Sequence, residues 1–186
     1  MPERASKRVK KKSEKSIPTR TKVSEQAKSN CIVVIRLRGQ AGINRVVRET
    51  LCSMMLLRKF QAALFPENAA VRGMLFRVKD YVTWGEPSAE TISSLLTQRA
   101  EISSGEDLTP DLLKKQLHVS SVQELADKIK KGEITLRQLK TTGISSRFRL
   151  HPPGKGFKKT IKRSFRDSGE LGYRGDNINA LLHRMI

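Results

Sequence analysis

The stretch HPPGKGFKKTIKRSFR, residues 151–166, carries six Lys or Arg, two Phe and no acid. Those residue types in that density suit one chemistry, the holding of phosphates. Pro152 and Pro153 force an extended backbone, and Gly154 and Gly156 disfavour regular structure after them. Along such an irregular basic strand Lys155, Lys158, Lys159, Lys162, Arg163 and Arg166 can each meet a phosphate, while Phe157 and Phe165 can anchor to protein or stack on a base. A solvated loop with two buried phenylalanines is the plain alternative, and the lack of any acid argues against it.

A second candidate lies at Gly39-Gln40-Ala41-Gly42, which leads into a helix whose first turns carry Arg45 and Arg48. Acids would ordinarily complement the helix dipole there, and a bound anion would reverse the mismatch. Two glycines that let a backbone approach, free N–H groups at a helix start and two Arg forks make a phosphate seat. A plain turn with exposed arginines has the same sequence. No Gly-Lys-Ser/Thr follows, so this is not a P-loop, and the third glycine of a dinucleotide fingerprint is missing. The GxxG of single-strand-binding KH domains joins two helices, whereas a strand precedes it here.

Catalysis finds no comparable cluster. His118, His151 and His183 are scattered, no Ser or Cys sits in a nucleophile context, and Asp107 with Asp111 reads as helix capping. Cys31 and Cys52 have no second pair, which fits neither a disulfide scaffold nor a zinc site; both lie in apolar runs and read as buried free thiols. No enzyme, cofactor, metal or small-molecule substrate is expected.

The charge balance names the partner class. Lys plus Arg number 37 against 18 Asp plus Glu, a net charge of +19. Residues 1–30 hold ten cations against three acids, residues 144–186 hold ten against three, and residues 31–143 hold seventeen against twelve. A near-normal globular middle is therefore flanked by basic segments, and a polyanion relieves their self-repulsion. A membrane suits less well, since no apolar run approaches the roughly 20 residues of a span and no secretory or Met-Gly acylation signal opens the chain.

The elements that must position these cations follow from periodicity. Residues 1–30 have too few apolar side chains to offset ordering and read as a basic arm, whose VKKK could also serve as a nuclear address. CIVVIRLRG is a strand with Val33, Ile35 and Leu37 on one side and Arg36 and Arg38 on the other. RVVRETLCSMMLLRK is a helix capped by Asn44, with Val47, Leu51, Met54 and Arg58 on one stripe. FQAALF gives a second strand, and PENAAVRGMLFRVKD a helix capped by Asn68 with Val71, Met74, Leu75 and Val78 inward. YVTW is a third strand. The β-α-β-α-β order, with both helices as crossovers, puts the helices on one face and leaves the other available.

After GEPS, helices dominate: one behind Ser88 with Ile92, Leu95, Leu96 and Arg99, one starting at Thr109-Pro110, and one from Ser121 with Glu124 to Gly132. RFRL reads as a short strand before the basic tail. The expected fold is α+β: a ferredoxin-like β-α-β-α-β core over 31–86, a helical subdomain over 87–143, a basic segment over 144–186 that returns to the core, and the 1–30 arm.

Three separated blocks, RLRGQAGINRVVRETL, NAAVRGMLFRVKDYVTWGEPS and HPPGKGFKKTIKRSFRDSGELGYRGDNINALLHRM, resemble the ribosomal protein family called thirty in bacteria and seven in eukaryotes, in its archaeal form. The likeness runs from Cys31 to Ile186. It implies a structural constituent of the cytoplasmic large ribosomal subunit, bound to ribosomal RNA (rRNA) and neighbouring ribosomal proteins. Carried across by motif, the RNA-facing residues are Arg38, Gly39, Gly42, Asn44, Arg45 and Arg48, then Arg72 and Gly73, and in the tail His151, Lys155, Lys158, Lys159, Lys162, Arg163, Tyr173 and Arg174. This chain departs from the family in having Asn68-Ala69 for Thr-Pro before the second helix, and Gly154-Lys155 for Arg after the proline pair. A free-standing RNA- or DNA-binding regulator would share the electrostatics.

Overall fold

The computed structural model of the chain describes residues 31–100, 121–132, 145 and 147–186. The basic arm, His118 and the helix expected from Thr109-Pro110 lie outside the described residues.

Strand β1 (Cys31–Arg36) is buried along its whole length, because its alternating side chains enter two different cores. Ile32 and Val34 face one core, and Val33, Ile35 and the following Leu37 face the other. Helix α1 (Arg45–Ser53) leads to β2 (Gln61–Pro66), and helix α2 (Ala69–Val78) to β3 (Val82–Gly85). The expected β-α-β-α-β order is present. β1 lies between β2 and β3 and is antiparallel to both. Only α2 is therefore a crossover between parallel strands. α1 instead serves an antiparallel neighbour, with the chain returning through residues 54–60, which corrects the expectation of two crossovers.

That return explains why α1 ends short of its apolar run. Met55 takes a left-handed φ of 56°, its N–H donates to the Cys52 carbonyl, and the Leu56 N–H donates to that of Leu51 at 2.9 Å. This pair of bonds closes a helix at its C-terminus. Leu56 is thereby turned into the core beside Leu51 and Met54, while Arg58 is left exposed outside the helix.

Helices α1 and α2 cover one face of the sheet with Leu51, Met54, Val71, Leu75 and Val78. The opposite face is not available, contrary to the sequence expectation. Helix α3 (Ala89–Arg99) and helix α4 (Val122–Lys131) bury Ile92, Leu95, Leu96, Leu125 and Ile129 against it, and the chain's end adds Ile178, Leu181, Leu182 and Met185. Residues chosen as helical by their periodicity thus complete the second core. Ser88, Ser121 and Asn68 cap as their positions require, and Gly132 closes α4 at φ 76°.

The C-terminal segment extends the sheet, so it is less irregular than its glycines and prolines suggest. Strands β4 (Arg147–Arg149), β5 (Thr160–Ser164) and β6 (Gly169–Tyr173) give the order β4-β2-β1-β3-β6-β5. β6 runs parallel to β3, and β5 lies outside it in an irregular register. Gly169 allows that approach, because a side chain there would run into the backbone of Arg163. A short 3-10 turn (Gly175–Asn177) and helix α5 (Ile178–Leu182) then return the chain to the second core.

Candidate nucleic-acid interface

Strand direction decides which loops meet. β1 ends at Arg36, and its register with β2 and β3 places Gln61 and Val82, the starts of those strands, at the same end of the sheet. β4 ends there too, since Arg149 sits opposite Gln61, and parallel β6 starts there. The loop of Arg38 to Asn44, the segment from His151 onward and the turn of residues 165–168 therefore share one end. Contacts agree: Phe60 and Phe157 rings lie 6.2 Å apart, and Leu150 N–H donates to the Phe60 carbonyl at 2.9 Å.

The first loop is held from beneath by Arg36. This guanidinium is buried and donates to four carbonyls: Arg38 at 2.9 Å, Leu56 at 2.7 Å, Leu57 at 3.0 Å and Gly39 at 3.0 Å. Burial lowers its pKa from the ordinary Arg value. The strand consequently has no basic face: Arg36 points inward and fixes the loop, a role the alternation pattern had hidden. Arg38 is half-buried, donates to the Asp80 carbonyl at 3.1 Å and lies 5.0 Å over the Tyr81 ring.

Gly39 and Gly42 are exposed, and Gly42 has φ +66°, a conformation that favours glycine. Asn44 accepts from the Val46 N–H at 3.1 Å, so its side chain caps the helix. Arg45 pairs with Glu49 at 2.8 Å, both well exposed, which leaves Arg48 as the cation of this turn without an ion-pair partner among the described residues.

In the tail, His151, Lys155, Lys158, Lys159, Lys162 and Arg163 are all exposed. The backbone behind them is tied to the chain's end: His151 N–H donates to the Met185 carbonyl and Gly154 N–H to that of Arg184, each at 2.9 Å. The Lys159 N–H donates to Glu170 at 3.0 Å. Arg72 and Gly73 are exposed but sit near the start of α2, toward the opposite end of the sheet, where Arg72 pairs with Glu67. They are not gathered with the loop. Tyr173 is half exposed and donates to the Glu86 carboxylate at 2.9 Å, which raises its phenol pKa.

Arg174 needs correction. Its side chain is buried, with an ion pair to buried Glu170 at 2.7 Å, a hydrogen bond to Thr83 Oγ1 at 2.9 Å and the Phe165 ring 4.9 Å away. With Nε and Nη2 spent on Thr83 and Glu170 in a buried setting, Arg174 is an internal cation. The partner Glu170 lies four residues earlier on the adjoining strand, a spacing that sequence reading left unpaired. Cys52 is corrected as well: it is exposed on α1, whereas Cys31 is buried and its thiol is pushed up to about 12 by desolvation. Among the described residues there is no cluster of His, Cys, Asp or Glu able to hold a metal, and no helix long and apolar enough to cross a membrane.

Comparison with known proteins follows the same lines. Residues 32–82 match the family described as ribosomal protein L30p/L7e. The chain is 42% identical over 155 residues to the large ribosomal subunit protein uL30 of Korarchaeum cryptofilum, covering 83% of this chain and 94% of that one. It is 40% identical to the protein of the same name from Ignicoccus hospitalis, covering 83% and 96%, and 39% identical to that of Methanosphaera stadtmanae, covering 82% and 98%.

Proposed function

This chain belongs to the ribosomal protein L30p/L7e family, and on that premise we propose that it is a structural constituent of the large ribosomal subunit that binds rRNA. Its place is then the cytoplasmic ribosome, beside rRNA and neighbouring large-subunit proteins, and its role is structural rather than catalytic. The observation that carries the reading is the convergence of exposed cations at one end of the sheet: Arg48, Lys155, Lys158, Lys159 and Lys162 are exposed without ion-pair partners among the described residues.

Within that reading the parts divide the work. Residues 31–86 set position, helices α3 and α4 add to the core behind them, and residues 147–186 present the main basic surface. Arg38, Gly39, Gly42, Arg45, Arg48, Lys155, Lys158, Lys159, Lys162 and Arg163 are the proposed phosphate contacts, with His151 at their margin. Phosphate neutralisation by fixed cations releases counterions, which favours binding and makes it fall with salt. Sedimentation tests the proposal: the protein should travel with large subunits after a high-salt wash. Release into the free fraction, with binding to one separate nucleic acid, would favour a free-standing regulator.

A further inference from the structure

Beside the cation surface, a groove of about 900 Å³ runs between the end of α2 and the residues that follow β5. This falls within the roughly 300–1,000 Å³ of clefts that take small molecules. Four aromatic side chains line it, Phe76, Trp84, Phe165 and Tyr173, out of nine in the whole chain, and they include its only Trp. Phe76 is 71% exposed, a large apolar ring left mostly to solvent. Tyr173 is fixed by its bond to Glu86, with its ring 6.5 Å from that of Trp84. The indole N–H of Trp84 has no partner among the described residues and is not sealed from solvent. Gly172, also in the lining, has φ +83° and open space above it.

The rim is cationic. Lys79 stands 4.8 Å over the Phe76 ring, and Lys162, Arg163 and Arg166 are exposed without ion-pair partners among the described residues. Of the two acids in the lining, Asp167 is occupied by Ser164 Oγ at 2.6 Å. Flat π-faces bordered by unpaired cations complement a nucleobase with its phosphates, whereas an acidic peptide would use the rim and leave the rings idle.

Resting on the rRNA-binding reading, we propose that this groove takes one unstacked nucleotide of a single-stranded rRNA segment. Its base lies on the aromatic side chains of Phe76 and Trp84, and its flanking phosphates meet Lys79, Lys162, Arg163 and Arg166. Phe76, Lys79, Trp84 and Arg166 thereby join the interface. A base–aromatic contact releases no counterion, so it adds affinity without adding salt dependence.

The test uses the full chain. Trp84 emission is followed during titration with a short uridylate oligomer, with the same ribose-phosphate oligomer lacking bases, and with an acidic peptide. Uridylate should quench strongly, and the other two should quench far less. Phe76→Ala should weaken rRNA affinity about 5- to 150-fold, the range for one stacked base, with an unchanged salt slope. An exposed helical Phe replaced by Ala does not endanger folding, and Phe76→Tyr should restore affinity. Equal quenching by the abasic oligomer or the peptide, or unaltered affinity in Phe76→Ala, overturns the groove assignment. Tight rRNA binding with silent Trp84 sinks the groove alone. Uridylate quenching without rRNA binding supports the groove and sinks the ribosomal reading.

Discussion

Replacing Arg174 by Ala separates an internal cation from an RNA contact. The side chain pairs with Glu170 at 2.7 Å, donates to the Glu170 carbonyl at 2.5 Å and to Thr83 at 2.9 Å, all in a buried setting. Truncation leaves Glu170 buried and uncompensated, and breaking such a pair costs about 3–5 kcal/mol. For a chain of this size each kcal/mol moves the melting temperature by about 2–4 °C, so Arg174→Ala should melt roughly 6–20 °C lower. Adding Glu170→Gln should recover part of the loss, because the amide oxygen can still accept from the Lys159 N–H while no charge stays buried alone. Circular dichroism gives the melting temperatures, and rRNA binding across a salt series gives the slope. An unchanged melting temperature together with a log-log slope smaller by about one, the behaviour of a surface phosphate contact, would refute the internal assignment.

Four further outcomes are expected. Changing Lys158, Lys159, Lys162 and Arg163 together to Ala should reduce the magnitude of the log-log salt slope by about 3 while leaving the melting temperature unchanged, since all four side chains are exposed. Arg48→Glu should stabilise the free protein by about 0.3–1 kcal/mol through the α1 dipole yet weaken rRNA binding more than a Glu placed elsewhere; Arg45→Glu should gain less stability, because it meets Glu49. A thiol reagent at neutral pH should label Cys52 in the folded chain, and Cys31, held near 12 by burial, only after unfolding. The Tyr173 bond to Glu86 raises the phenol pKa above 10.0, so its proton-linked stability is complete below that value and lost as pH climbs through the raised one; Tyr173→Phe should abolish that alkaline loss in a pH series of melts.

Local rules were legible wherever one residue type has one physical use. Asn44, Asn68, Ser88 and Ser121 cap helices because their side chains accept the N–H groups that a helix start leaves open. Apolar periodicity placed Val71, Leu75, Ile92 and Leu95 correctly for the same reason. What failed was the account of partners across the sheet. Alternation in CIVVIR marks two faces but does not say that both are covered, since α3, α4 and α5 come from far along the chain. Nor does it say that Arg36 will meet four carbonyls supplied by two later loops. Cys52 lies in an apolar run, but helical rotation carries it away from the stripe that buries Leu51 and Met54. In the tail, prolines and glycines signalled irregularity, while the strand pairing that follows depends on β3, which lies remote in sequence.

Among the described residues, two kinds of cation stand out, and the first makes the second usable. Arg36 and Arg174 are buried, and their guanidinium forks are spent on carbonyls, a hydroxyl and a carboxylate. A lysine could not make those divergent bonds from one ammonium group. Arg174 holds Glu170, and Glu170 holds the Lys159 backbone, so the segment from Lys155 to Arg163 is anchored through an acid that neutralises no surface charge. Arg36 does the same for the loop before α1 by gripping Arg38 and Gly39. The exposed cations repel one another, which would drive a free loop away from any fixed arrangement. Anchoring their backbones sets that repulsion against folding rather than against binding. An approaching phosphate chain then meets charges already in place, and the ordering entropy has been lost before contact.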